Sequence, residues 1–291
     1  MVKLEQELKH AEKNKTSKMR IFLVLLSVFS VAAGIIIGSI YWMLSELPQI
    51  KALEAYKPIE SSRVYSSEGE LLAELYLERR TFIPHYRIPE HVKKAFVSIE
   101  DIRFYKHHGV DVTGIIRALY HDVKADSIVQ GGSTITQQLA KIVFLTPEKT
   151  FKRKVREVSL AIKMEKNLDK KEILELYLNK IYFGHGAYGV EMASRVYFGK
   201  SVGELTLPEA AMIAALIKAP STYSPYNNLT KSKERQETVL FRMEEEGYIK
   251  KSEREKAAKQ PLYLSTLRRG IESNNYFIEY IRKYLEEKYG E

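Results

Sequence analysis

The chain contains no cysteine, which removes disulfides, thiol catalysis and zinc–thiolate sites. It contains no Ser-x-x-Lys and no Lys-Thr-Gly, so a serine acyl-transfer centre built on those motifs is excluded. An Asp-x-Asp pair is also missing, which weakens the case for a metal-held nucleotide-sugar mechanism. Gly184, Gly186 and Gly189 surround Ala187-Tyr188, but no strand clearly precedes them, and the spacing is not a nucleotide fingerprint. Repeats and low-complexity tracts are absent.

What is present begins with a long apolar run. Ile21 to Leu44 is 24 residues without a charge, against the ~20 needed to span a bilayer. It is longer than a signal-peptide core, and no small-residue cleavage site clearly follows, so an uncleaved signal anchor is expected. Lys3, Lys9, Lys13, Lys15, Lys18 and Arg20 precede it, which keeps residues 1–20 in the cytoplasm and places residue 45 onward outside. The 291 residues leave room for one sizeable domain after that anchor. The formal charge of +9 is spread along the chain. On an outward-facing domain it suits anionic lipids and phosphorylated ligands, not nucleic acid.

Three strings carry the chemistry. Gln130 to Lys141 reads Gln-Gly-Gly-Ser-Thr-Ile-Thr-Gln-Gln-Leu-Ala-Lys. Gly131-Gly132 permits a sharp turn, and Ser133 or Thr134 is a natural helix N-cap. At 100° per residue, Ile135, Leu139, Ile142 and Val143 share an apolar flank, while Thr134, Gln137, Gln138 and Lys141 share a polar one. The helix start is also an anion site, and such a wall suits a sugar that carries phosphate. The second string runs from Glu100 to Gly109, after a helical stripe of Val92, Phe96 and Ile99. Gly109 reads as its C′ stop, and Glu100, beside Phe104, Tyr105 and a histidine pair, has the neighbours that raise a carboxylate's pKa. Taken alone, that string fits better a satisfied packing role for His107 and a solvated Glu100 paired with Arg103 or Lys106. In the third string, Phe151, Val155, Val158 and Ile162 make a buried stripe, with Arg153, Arg156 and Glu157 on the opposite arc and Lys149 just before. That basic face is either a salt-bridged surface or a holder for a diphosphate leaving group.

In this order and spacing the strings resemble the family-51 peptidoglycan glycosyltransferases, found in class A penicillin-binding proteins and monofunctional transglycosylases. Glu-Asp-x-x-Phe-x-x-His-x-Gly is met by Glu100, Asp101, Phe104, His107 and Gly109. Gly-x-Ser-Thr-x-Thr-Gln-Gln is met by Gly131, Ser133, Thr134, Thr136, Gln137 and Gln138. Arg-Lys-x-x-Glu, with a later Ala and Glu, is met by Arg153, Lys154, Glu157, Ala161 and Glu165. A fourth motif covers Ile173 to Asn179 with Phe183-Gly184, and a looser fifth runs from Glu209-Ala210-Ala211 to Ala219-Pro220-Ser221. The likeness covers about residues 60 to 265. It departs at Ile142, where the family usually has Asn, and that side chain is expected to pack on the apolar flank.

The resemblance implies a mainly α-helical, lysozyme-like glycosyltransferase domain over residues 45–265, behind the transmembrane helix. A short β-hairpin preface is expected where Arg63–Tyr65 and Leu71–Leu77 flank Ser66 to Gly69. Thr206-Leu207-Pro208-Glu209 should open a closely packed, alanine-rich helix. Val110 to Val123 is expected either at the bilayer surface or as an internal amphipathic helix. Residues 266–291 resemble a linker toward a transpeptidase domain, which implies part of a longer bifunctional enzyme. The implied reaction is inverting transfer from a polyprenyl-diphosphate donor, lipid II or the growing glycan strand, to the 4-hydroxyl of an acceptor GlcNAc. Glu100 is implied as base. Lys141, Lys149, Arg117, Arg153 and Lys154 are the candidates to stabilise the diphosphate. Glu157 orients those cations or holds a divalent ion such as magnesium or manganese, with no cofactor obligatory. Ser133, Thr134, Gln137, Gln138, Phe104, His107 and Ser221 are the remaining substrate-positioning candidates. Expected partners are membrane lipids, a transpeptidase domain and other cell-wall synthesis proteins. The competing readings are a lytic glycosidase, for which the basic cluster has no use, and a glycan-binding scaffold.

Overall fold

The computed structural model describes residues 62–69, 71–75, 79–117, 132–146, 148, 150–267 and 276–289, with scattered positions between 23 and 38. Gly131 and Lys149 lie outside the described residues, as does most of the anchor expected at 21–44. Among the described residues no helix is long and apolar enough to cross a membrane. Two compact units are distinguished, residues 1–48 with 150–152, and residues 49–149 with 153–291. In the first unit the described positions between 23 and 38 are helical, and Leu23, Leu26, Phe29 and Val31 are exposed.

The second unit opens with strands β1 (Ser62–Tyr65) and β2 (Leu71–Leu75), paired antiparallel with Arg63 opposite Glu74. The turn between them closes through the Gly69 amide on the Ser66 carbonyl at 3.0 Å. Strand β3 (Arg79–Arg80) pairs in parallel with β4 (Ala187–Tyr188). Everything else of regular form is helical: α1 (Glu90–Glu100), a turn over residues 112–117, α2 (Ile135–Phe144), α3 (Phe151–Asn167) and α4 (Lys170–Lys180). Then follow α5 (Val190–Phe198), α6 (Leu207–Leu216), α7 (Pro220–Tyr223), α8 (Leu229–Glu245), α9 (Lys251–Lys259) and α10 (Tyr276–Tyr289).

Helix α6 is the hub. Every residue from Pro208 to Leu216 is buried, because the small side chains Ala210, Ala211, Ala214 and Ala215 let α1 and α8 close on it. A helix apolar all round belongs in the interior. Its start is tied down by Glu209, which accepts from the Thr206 amide and hydroxyl, both at 2.7 Å, and pairs with Lys200. A second contact joins α2 to α4, where Ile135, Leu139, Leu174, Tyr177 and Leu178 are fully buried.

Two expectations for local structure are corrected. Helix α1 stops at Glu100 with Asp101 as its cap, so Gly109 does not terminate it. Gly109, at φ +90°, instead lets the loop press on α3, where an added Cβ would meet the Ala161 carbonyl carbon and oxygen at 2.8 Å. The buried face of α3 is Glu157, Leu160, Ala161 and Met164, not the stripe expected from Phe151 to Ile162. Phe151 is 82% exposed and Ile162 39%, whereas Glu157, at 3%, is buried. Periodicity cannot anticipate a carboxylate that goes inward because two cations neutralise it.

Candidate active site

The C-terminal end of α1 delivers Glu100 to a cleft of about 560 Å³. Ser98, Ile99 and Asp101 line it beside Glu100, and Asp111, Gly114 and Arg117 line it from the following segment. The start of α2 adds Ser133, Thr134, Gln138 and Lys141. Further lining comes from Ile102, Gly132, Ile217 and Lys218, the last two just beyond α6, and from Arg235, Thr238 and Arg242 on α8.

Glu100 keeps partial solvent contact through the cleft but is otherwise surrounded by protein. Desolvation pushes its carboxyl above the usual range, and the neighbouring Asp101 adds to the rise. A hydrogen bond from Gln138, with the charges of Arg235 and Lys141, acts against it. Gln138 Nε2 donates to Glu100 Oε2 at 2.8 Å. The Tyr177 hydroxyl, buried under α2, donates to Gln138 Oε1 at 3.2 Å. An ionised Glu100 can only accept, so it selects the Nε2 end of the amide, and the Tyr177 hydroxyl holds the other end.

The loop after α1 is held by Asp101. Its carboxylate contacts His107 Nε2 at 2.9 and 3.1 Å and accepts from the Ile135 amide at 3.0 Å, which stitches the loop to the start of α2. Thr134 caps α2, accepting from the Gln137 amide at 3.1 Å and donating to the Gly109 carbonyl at 2.7 Å. Gln137 returns the bond, with Oε1 accepting from the Thr134 amide at 3.0 Å. This reciprocal cap is what Ser/Thr followed three residues later by Gln predicts. It also turns Gln137 inward, away from the polar wall it was expected to share with Thr134, Gln138 and Lys141.

Behind Ser133 lies an ion cluster centred on the buried Glu157. Glu157 accepts from Arg153 Nη1 at 2.9 Å and from Lys154 Nζ, and Lys154 Nζ also donates to Ser133 Oγ at 3.0 Å. One carboxylate therefore sets the direction of two cations and joins α3 to the rim of α2. Nearby, Glu165 accepts from Thr136 at 2.6 Å and from Lys170 at 2.7 Å, and the Lys170 ammonium sits 4.5 Å over the Phe104 ring.

Most of the residues named from the sequence come together here. Glu100, Arg117, Ser133, Thr134, Gln138 and Lys141 line the cleft, and Arg153, Lys154 and Glu157 stand behind Ser133. Phe104 and His107 are buried beneath the lining, so both support the floor and neither reaches its surface. Ser221 is exposed on α7, outside the lining. Ile142, expected on the apolar flank as a packing difference from the family, is 38% exposed beside Lys141. Among the lining residues that were missed are Lys218, Arg235, Thr238 and Arg242. The last three are spaced i, i+3, i+7 along α8, a signal the sequence did contain.

Residues 68–244 match the family described as Transglycosylase. The chain is 44% identical to penicillin-binding protein 1A of Aquifex aeolicus over 271 residues, 92% of this chain and 37% of that protein. It is 45% identical to penicillin-binding protein 1F of Bacillus subtilis, over 79% of this chain and 32% of the relative. With penicillin-binding protein 1A of Escherichia coli the identity is 42% over 94% of this chain and 32% of the relative. The chain thus spans about a third of the length of these relatives. With the motifs gathered around one cleft and the match covering most of the folded unit, the chain belongs to the transglycosylase family, the family-51 peptidoglycan glycosyltransferases that form the N-terminal part of class A penicillin-binding proteins.

Proposed function

We propose that this domain polymerises lipid II into glycan strands by inverting transfer at the cleft. Glu100 takes the proton of the acceptor GlcNAc 4-hydroxyl. The freed oxygen attacks the anomeric carbon of the donor MurNAc, a β-1,4 bond forms, and the bond to the polyprenyl diphosphate breaks. The observation that carries this reading is a desolvated carboxylate and several cations in one cleft. A carboxylate with a raised pKa is the better proton acceptor near neutral pH. Arg117 and Lys141 line the same space and suit a leaving diphosphate, since preorganised charge acts strongly where water is excluded. Arg153 and Lys154, oriented by Glu157, extend that cationic surface behind Ser133, and Lys149 is proposed from the sequence motif to contribute to the same diphosphate. Thr134 and Gln138 offer sugar and phosphate contacts from the wall. Gln137, Phe104 and His107 serve from below by holding it in place.

Hydrolysis of a glycan would need a second carboxylate free to act beside Glu100. Asp101 and Asp111 line the cleft, but Asp101 is engaged by His107 and the Ile135 amide, and Asp111 pairs with Arg103 at 3.3 Å. That commitment favours transfer over cleavage. Glu157 accepts from both Arg153 and Lys154, which supports a role in orienting those cations over one in holding a divalent ion at the diphosphate. Among the described residues no group of three or more acidic, histidine or cysteine side chains converges on one point.

Residues 21–44 are proposed as the membrane anchor, with the domain outside. The exposed helical positions Leu23, Leu26, Phe29 and Val31 support it, as do Val112 and Ile116, each 63% exposed on the turn before Arg117. The test is incubation of the detergent-solubilised protein with lipid-linked disaccharide-peptide, and in parallel with preformed glycan, followed by gel separation. A ladder of strands from the first and unchanged glycan in the second is expected. Shortened glycan with no ladder would reverse the assignment.

A further inference from the structure

Arg235 belongs to none of the strings that pointed to the site, yet it lines the cleft that holds Glu100. It projects from α8, which packs against both α1 and the central α6. Its guanidinium carbon lies 5.9 Å from the Tyr223 ring, so the aromatic face steadies it, and its Nε is buried without a hydrogen-bond partner. A cation half-withdrawn from water needs a compensating charge. Burial makes its charged form harder to keep, and the chief group acting the other way is Glu100. Reciprocally, Arg235 is the foremost charge holding the Glu100 carboxyl down against its desolvation.

We propose that Arg235 is a positioning residue for the Glu100 base, acting on the carboxylate across the cleft from α8 instead of binding substrate. This rests on the reading of Glu100 as the base. The groups facing that carboxylate are Asp101 from its own segment, Gln138 and Lys141 from α2, Tyr177 from α4 and Arg235 from α8. Gln138 fixes one oxygen by a hydrogen bond, while Lys141 stands on an exposed rim where solvent dilutes its charge. Arg235 is the cation held partly out of water, so its effect is screened least. Its role is to keep Glu100 ionised at working pH although burial opposes that. Without Arg235 the same burial leaves Glu100 protonated over a wider acid range, and a protonated carboxyl accepts nothing.

The test is the pH dependence of kcat/KM on lipid-linked disaccharide-peptide, using full-length protein in detergent, for the parent and the Arg235→Gln, Arg235→Lys and Glu100→Gln variants. Arg235→Gln should displace the acid limb toward higher pH, giving a deficit of about tenfold at the acid end that closes as pH rises. Arg235→Lys should bring the limb back toward the parent. Should Arg235→Gln fail to fold, Arg235→Met, which keeps the stem against Tyr223, takes its place. A second readout needs no turnover. The pH dependence of thermal unfolding should change on Arg235→Gln in the parent background and not in the Glu100→Gln background. A uniform loss at every pH, or an unmoved limb with Glu100→Gln inactive, overturns the role of Arg235 and leaves Glu100 as base. A Glu100→Gln variant that turns over normally overturns both.

Discussion

Burial disfavours the charged form of Glu100, and that conflict is measurable apart from catalysis. Its folded-state pKa is raised by desolvation, so between its unfolded and folded pKa values the native state binds more protons than the unfolded state. Stability from this group is therefore greatest below the unfolded pKa and is lost as pH rises through the folded one. Glu100→Gln should unfold at an equal or higher temperature than the parent at neutral pH, with a flatter pH dependence, in calorimetric scans. A clear drop in melting temperature would show that the ionised carboxylate stabilises the fold. Tyr177 acts one bond further away. Tyr177→Phe removes the hydroxyl that orients Gln138 and should lower kcat by up to about tenfold, the scale of one neutral hydrogen bond, with KM little changed in initial-rate assays. Glu100 stood out only through the ordered family motifs, since an acidic residue beside aromatics and histidines by itself also fits a solvated role. Arg235 did not stand out, since an arginine on a helix rich in charge looks solvated until the tertiary packing turns it inward.

At the scale of the element, α2 and α3 divide what sequence can and cannot tell. The capping residues of α2 were readable, because Ser/Thr followed by Gln is a local code that tertiary contacts reinforce. The inward face of α3 was not, because Glu157 is buried with its own counter-ions while Phe151 and Ile162 face outward. The loop between α1 and α2 leans on α3 at Gly109. Gly109→Ala should cost about 1–3 kcal/mol in urea unfolding, because the left-handed backbone and the Ala161 carbonyl both oppose a side chain. An unchanged midpoint would mean that the loop moves freely off the helix. The two lysines at this junction should also differ. Lys141 lines the cleft and is exposed in the free protein; bound substrate shields it, and Lys141→Ala should then cost roughly 2–4 kcal/mol in transition-state stabilisation. Lys154 reaches the site only through Ser133, with a side chain 43% exposed. Lys154→Ala should therefore cost less, and its penalty should shrink in high salt. Equal and salt-independent losses would place Lys154 in the cleft as well.

For the molecule as a whole, the order of parts in the sequence mapped well onto function and poorly onto shape. Five spaced motifs named the family, yet the way α1, α6 and α8 enclose one side of the cleft depends on contacts between residues more than a hundred positions apart. Pro208 to Leu216 reads as a closely packed helix from composition, but only the fold makes it the hub that carries both Lys218 and the face opposite Arg235. Removing residues 1–44 should leave the second unit folded, with activity that still requires detergent or lipid because the donor is lipid-linked. Circular dichroism and rates with and without detergent check this. Full activity in plain buffer would separate the cleft from any lipid-bound substrate.

In the proposed glycosyl transfer, Glu100 accepts the proton of the acceptor hydroxyl. The direct measurement is the initial rate of polyprenyl diphosphate release from lipid-linked disaccharide-peptide by the parent and by Glu100→Gln, each confirmed as folded. A loss of about 10²–10⁴-fold in the variant is predicted, the range for removal of a general base. A Glu100→Gln rate within a few-fold of the parent would contradict the account.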